Sequence, residues 1–136
     1  VSRRKSRIIA FQAIYSWDAS GESLEDLLKF AWVDSKDNLD ESELAFSRII
    51  IAGTIENKLK IDELITTHLS SNWNFDRLNK VTLAILRISI YSLVYQKDIA
   101  PSIVIDEAID LAKEFGPEDS FKFINAMLDK ITKEIK

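Results

Sequence analysis

The sequence predicts an all-α fold of about seven helices, on three observations. Hydrophobic residues are 46% of the 136 and charged residues 29%, a balance that supports one buried core. Three glycines and two prolines leave little material for hairpins and bulges, which weighs against an all-β chain and against disorder. Apolar residues recur at helical spacing through most of the chain.

The first helix is expected from about Arg3 to Ala19. Ile8, Phe11 and Tyr15 form one apolar stripe and Ile9, Ala13 and Trp17 a second, so it packs on two sides, with Gln12 and Ser16 on the polar strip between. Ser20-Gly21 closes it, because glycine accepts the left-handed conformation at a helix end. Ser23 followed by Glu25 and Asp26 reads as a cap with acids in the first turn, opening a short helix with Leu24, Leu27, Leu28 and Trp32 on one side. The polar run Asp34 to Asn38 ends it.

A longer helix is expected from about Asp40 to Leu69, with Leu44, Ile51, Ile55, Leu59, Asp62 and Ile65 on a mostly apolar stripe with polar interruptions. Gly53 inside it costs roughly 1 kcal/mol against alanine, which points to close approach by another helix. Ser70-Ser71-Asn72 is the expected break, dividing one domain (1–136) into helical halves of roughly 1–70 and 71–136. After a helical turn at Phe75 to Leu78, Val81 to Tyr95 has only Thr82, Arg87, Ser89 and Ser92 as non-apolar members and belongs in the interior. Pro101 suits the first turn of a helix carrying Val104, Ala108, Leu111 and Phe115, which stops at Gly116-Pro117. The last helix begins near Glu118 to Ser120 and carries Ile124, Met127, Leu128, Ile131 and Ile135, with Lys130, Lys133 and Lys136 near its end.

With no cysteine and one histidine, disulfides, thiolate chemistry and the usual metal sites are excluded; no cofactor is expected, and the composition suits a reducing cytoplasm. No apolar run approaches the ~20 residues needed to span a bilayer, so no membrane association is expected. His68 reads as a surface or partly packed side chain. The acids Asp62-Glu63 and Asp106-Glu107 with Asp110 read as helix-surface carboxylates, and Glu107 or Asp110 beside Lys113 and Glu114 as solvated charge. Without a phosphate-binding glycine loop, a nucleophile elbow or a helical metal motif, the chain is not expected to be an enzyme.

Binding chemistry is better supported. The net charge is −4, yet Arg3, Arg4, Lys5 and Arg7 fall within an N-terminal stretch that contains no acid. An acidic body with a basic arm concentrates polyanion binding at the arm, the alternative being a frayed, solvated terminus. Arg3 and Arg7, four apart, share one helix side; guanidinium groups contact phosphate and stack on unpaired bases, and Gln12 beyond them can read a base edge.

Arg3-Arg4-Lys5-Ser6-Arg7 followed by Gln12-Ala13-Ile14-Tyr15-Ser16-Trp17 resembles the opening of the NusB family of bacterial transcription antitermination factors. Gly53-Thr54 with Asn57, Asp62 and Leu64, then Leu78 with Ala84-Ile85-Leu86-Arg87 and Tyr91, continue the resemblance. Pro101 with Ile105-Asp106-Glu107-Ala108, and Phe115-Gly116, Ser120, Lys122-Phe123-Ile124-Asn125 and Leu128-Asp129-Lys130-Ile131, extend it over essentially the whole chain. The resemblance implies two packed helical bundles that bind boxA RNA together with NusE, a small-subunit ribosomal protein. With NusA, NusG and RNA polymerase, such a complex lets ribosomal RNA operons escape termination. It also implies an RNA site of Arg3, Arg4, Lys5, Arg7, Gln12, Lys122 and Asn125, and partner contacts at Tyr15, Asp76, Thr82, Asp119 and Phe123. Thr82 stands where the family often has an acid, which weakens any ion pair there. Ala126 stands where a glycine is common, implying less backbone freedom at a turn.

A helical protein-binding module with incidental RNA contact is the alternative reading. A methyltransferase's NusB-like domain is a third, although no glycine-rich cofactor region accompanies the helices. A homodimer is compatible with the resemblance, and no residue decides it.

Overall fold

The computed structural model describes residues 3–34 and 39–135. Among them are seven α-helices and no strand. Helix α1 (Arg4–Ser20) ends at Gly21, whose φ of 73° is the left-handed conformation expected there. Helix α2 (Leu24–Leu27) is capped by Ser23, whose hydroxyl accepts the Asp26 N–H at 3.1 Å. It is shorter than predicted: Trp32 lies in the turns beyond it, its indole N–H donating to the Leu27 carbonyl at 3.0 Å. Of the polar run expected to end this segment, residues 35–38 lie outside the described residues, as does Lys136.

The predicted 40–69 helix is two helices, α3 (Glu41–Glu56) and α4 (Lys58–Thr67), which meet at Asn57. Asn57 leaves helical geometry with ψ of 20°, and both its backbone N–H (3.0 Å) and its side-chain amide (2.8 Å) donate to the Gly53 carbonyl. An asparagine side chain competes in this way with the helical ladder, and apolar spacing does not reveal it. The break also reorients the face: Ile61 and Ile65 are buried, while Leu59, assigned to the apolar stripe, is 84% exposed. Helix α3 opens with a reciprocal capping box between Asp40 and Glu43.

Helix α5 (Lys80–Tyr95) is buried from Thr82 through Leu93, as its composition predicts, and packs against α1, α3, α4 and two C-terminal helices, α6 (Pro101–Phe115) and α7 (Ser120–Glu134). The close approach predicted at Gly53 is present: a Cβ there would lie 2.2 Å from the Tyr91 ring of α5. Pro101 occupies the first turn of α6, and the chain enters α7 through Asp119 at a φ of 65°. Ala126 lies inside α7, so no turn there calls for the glycine common in the family.

Two polar devices join the helices. Ser47 donates to the Ser6 carbonyl at 2.8 Å and Ser6 to the Glu43 carbonyl at 3.0 Å, holding α1 and α3 together through small buried side chains. Arg87 of α5 makes a two-pronged hydrogen bond to Asp62 of α4, both contacts 2.9 Å, and faces Asp18 of α1 at 3.4 Å. Asp62 is therefore not the solvated carboxylate that the sequence suggests. Trp17 and Phe75 flank the same guanidinium, at 5.6 and 5.8 Å from their ring centres. No helix of the described residues is long and apolar enough to cross a membrane.

Candidate nucleic-acid and partner interface

Helix α1 holds its inward face with Ile9, Ala10, Ala13 and Ile14, which leaves Lys5, Gln12 and Tyr15 exposed along the outer side. Lys5 and Gln12 border a shallow depression with Ile8, Ile9 and Leu39. Gln12 and Tyr15 continue into a second depression, where Val81 and Phe115 meet α1. The exposed strip is therefore amide and ammonium at one end and aromatic at the other.

The arginines are placed unequally. Arg3 lies 4.5 Å from the centre of the Phe46 ring on α3, and Arg7 lies 5.4 Å from the same ring. Arg4 is bonded to Glu114 and lies 3.7 Å from Asp110, both on α6. Arg7 does not present itself to solvent as an RNA-contacting residue must: it is 6% exposed. Burial pushes its guanidinium pKa down, the Glu107 carboxylate opposes that shift, and Arg3 adds to it. The apolar spacing that buries α1 carries Arg7 inward, where its head lies near Phe46 and within the field of the Glu107 carboxylate. The α6 acids are correspondingly not all free surface charge. Asp110 and Glu114 are exposed but face Arg4, and Glu107 keeps its Oε2 buried.

On α7, Lys122 and Asn125 are both exposed and, three apart, share one face. Lys122 lies 3.6 Å from Asp119 and 6.0 Å from the Phe121 ring centre; Lys113 of α6 lies 4.9 Å from that same ring. Lys113 and Lys122 thus share the Phe121 ring, and Arg4 is tied to Glu114, the residue after Lys113, so both patches predicted for RNA have contacts with the end of α6.

The residues predicted for a protein partner also converge. Thr82 and Phe123 line one apolar depression with Trp73, Leu78 and Pro117. Asp76 and Asp119 are exposed at its margins, each adjacent in sequence to a residue of that lining, Arg77 and Ser120. Thr82 is itself buried, so it offers the depression a wall and not a reaching side chain. Tyr15 stands at the neighbouring depression, whose Val81 precedes Thr82.

Sequence reasoning missed two aromatic residues here. Phe46, which seats Arg3 and Arg7, carries no signal beyond helical spacing. Trp73 does carry one, as a large aromatic stranded between serines and asparagines. His68, expected to be a surface or partly packed side chain, has Nδ1 2.7 Å from the Leu64 carbonyl and Nε2 2.7 Å from Glu134. Among the described residues, no group of three or more His, Cys, Asp or Glu side chains is placed to hold a metal ion.

The NusB family's sequence profile matches residues 4–133. The chain is 53% identical to a transcription antitermination protein NusB of Treponema denticola, covering 96% of each chain. It is 47% identical to the protein of that name from Treponema pallidum strain Nichols, covering 98% of this chain and 94% of the other. Among solved structures, T. maritima NusB superposes with a TM-score of 0.88 at 37% identity, covering 98% of this chain and 92% of that one. The antitermination factors NusB and NusE in complex with double-stranded RNA give a match with a TM-score of 0.85 at 29% identity, covering 97% and 96%.

Proposed function

Because the chain belongs to the NusB family, we propose that it is a transcription antitermination factor, not an enzyme, that binds boxA RNA together with NusE. In this role it enters a complex with NusA, NusG and RNA polymerase and helps the polymerase read through terminators in ribosomal RNA operons. The observation that carries the reading is the exposed basic and amide edge of α1 in a chain whose net charge is negative. Arg3, Arg4 and Lys5 supply phosphate contacts and Gln12 a base-edge contact, while Lys122 and Asn125 extend the site onto α7. Arg7 supports Arg3 from beneath through their shared contact with Phe46.

NusE is assigned to the neighbouring apolar depressions, with Tyr15 and Phe123 as aromatic contacts, Thr82 as wall, and Asp76 and Asp119 as marginal charges. A partner seated there lies beside the α7 RNA patch, so a single RNA strand can touch both proteins. Fluorescence anisotropy of labelled boxA RNA against a scrambled RNA of equal length, at fixed salt and with or without NusE, tests this reading. Preference for boxA that tightens with NusE is the expected result. Equal weak binding of both RNAs in both conditions overturns it in favour of a helical protein-binding module.

A further inference from the structure

We propose that Trp73 is a stacking platform for one unpaired RNA base, received on the polar side of the connection between α4 and α5. This rests on the RNA-binding reading above and adds to it a residue and a subsite. Trp73 is 53% exposed, yet its surroundings hold it in place. Its backbone N–H donates to the Ser70 carbonyl at 3.0 Å, and its ring lies 6.0 Å from that of Phe123, inclined at 39°. The next residue is fixed too, because the Asn74 side-chain oxygen accepts the Asp76 N–H at 2.9 Å.

The indole divides two depressions of different chemistry. One is the mainly apolar depression with Leu78, Pro117 and Phe123, which Arg77 also borders, suited to a protein side chain. The other sets the hydroxyls and amides of Thr66, Ser70, Ser71, Asn72 and Asn74 beside the apolar Leu69 and Phe75, with no charged side chain in its lining. A phosphate group would require cations in such a place. A base requires an aromatic face and neutral donors and acceptors for its edge, which the indole, hydroxyls and amides supply. A cation for the adjoining phosphate lines the first depression with Trp73, namely Arg77. Separate placement of neutral polar groups and cations favours a nucleotide over an acidic peptide or a free anion.

Anisotropy titrations with single-stranded boxA RNA, and with a set of the same RNA bearing one abasic position each, test the assignment. Trp73→Ala is expected to weaken binding about 5- to 150-fold, the range for loss of one base–aromatic stack, whereas Trp73→Phe retains most of the affinity. One abasic RNA should bind the wild type as weakly as intact RNA binds Trp73→Ala, and should lose nothing further with that variant. Thermal unfolding of both variants separates loss of contact from loss of fold, since a purely structural role would not be specific to one base. Unchanged affinity of Trp73→Ala, while Arg3→Ala with Arg4→Ala weakens binding, overturns this proposal and leaves the RNA reading intact. Loss of NusE binding alone in Trp73→Ala overturns it in favour of a protein contact. Absence of any boxA preference in the wild type overturns both.

Discussion

The guanidinium of Arg87 lies inside the molecule between Asp62 and Asp18, whereas those of Arg3 and Arg4 lie at its rim, on Phe46 and against Glu114. Each is an arginine in or at the start of a helix with an acid or an aromatic ring in reach, so residue type alone does not separate them. Access to water does. Arg87 is 2% exposed, and its carboxylate partners belong to other helices, so it fastens α1 and α4 to α5. The rim arginines have partners in a high-dielectric setting, where an ion pair contributes little and a polyanion can displace it. Arg7 stands between these cases, on the arm by sequence and in the interior by position.

Replacing Arg87 should separate the two regions most strongly. Arg87→Met removes the shared cation from two carboxylates and is expected to cost about 3 kcal/mol in urea unfolding, with the RNA affinity of the folded protein unchanged. Gly53→Ala comes next, since its Cβ meets the Tyr91 ring; about 1–3 kcal/mol of overpacking is expected, relieved when Tyr91→Leu is added. At the rim the readout changes from stability to salt. Arg3→Ala with Arg4→Ala should leave the unfolding midpoint nearly unaltered and flatten the dependence of log affinity on log salt by about 1.4 for single-stranded RNA. Arg7→Ala should instead lower stability with a smaller change in that slope; the reverse result would place Arg7 with the arm.

The smallest effect concerns Asp40, whose exposed carboxyl is held below the usual carboxylate range by the Glu43 N–H and then by the Ser42 hydroxyl. A carboxyl depressed in the folded state stabilises it above its unfolded pKa and loses that effect as pH falls through the lower folded value. The difference in unfolding midpoint between wild type and Asp40→Ala should therefore be present at neutral pH and shrink on acidification below the ordinary carboxylate range. RNA affinity should not follow it.

Features written in local pattern were legible in the sequence: the buried α5 from its near-continuous apolar run, the start of α6 from Pro101, and a close helix approach from a lone Gly53, though not which helix approaches. The break at Asn57 was not, because it depends on one side chain competing for one carbonyl while apolar spacing runs on. The roles of Asp62, Glu107 and Arg7 were not legible either, since each depends on which residue from a distant helix arrives opposite. Clustering of the basic arm was evident from composition, but which of its members face water was decided by packing against Phe46 and α6.

The central position of α5 has a consequence in time. The apolar faces of α1, α3 and α4 are completed by a helix that follows them in the chain, so during synthesis they precede the surface that covers them. At about 5–20 residues per second, the sixteen residues of α5 take roughly one to three seconds to be added. Until then the N-terminal helices lack their shared partner, and the surface they can already bury is the one α1 and α3 share, which Ser6 and Ser47 fasten.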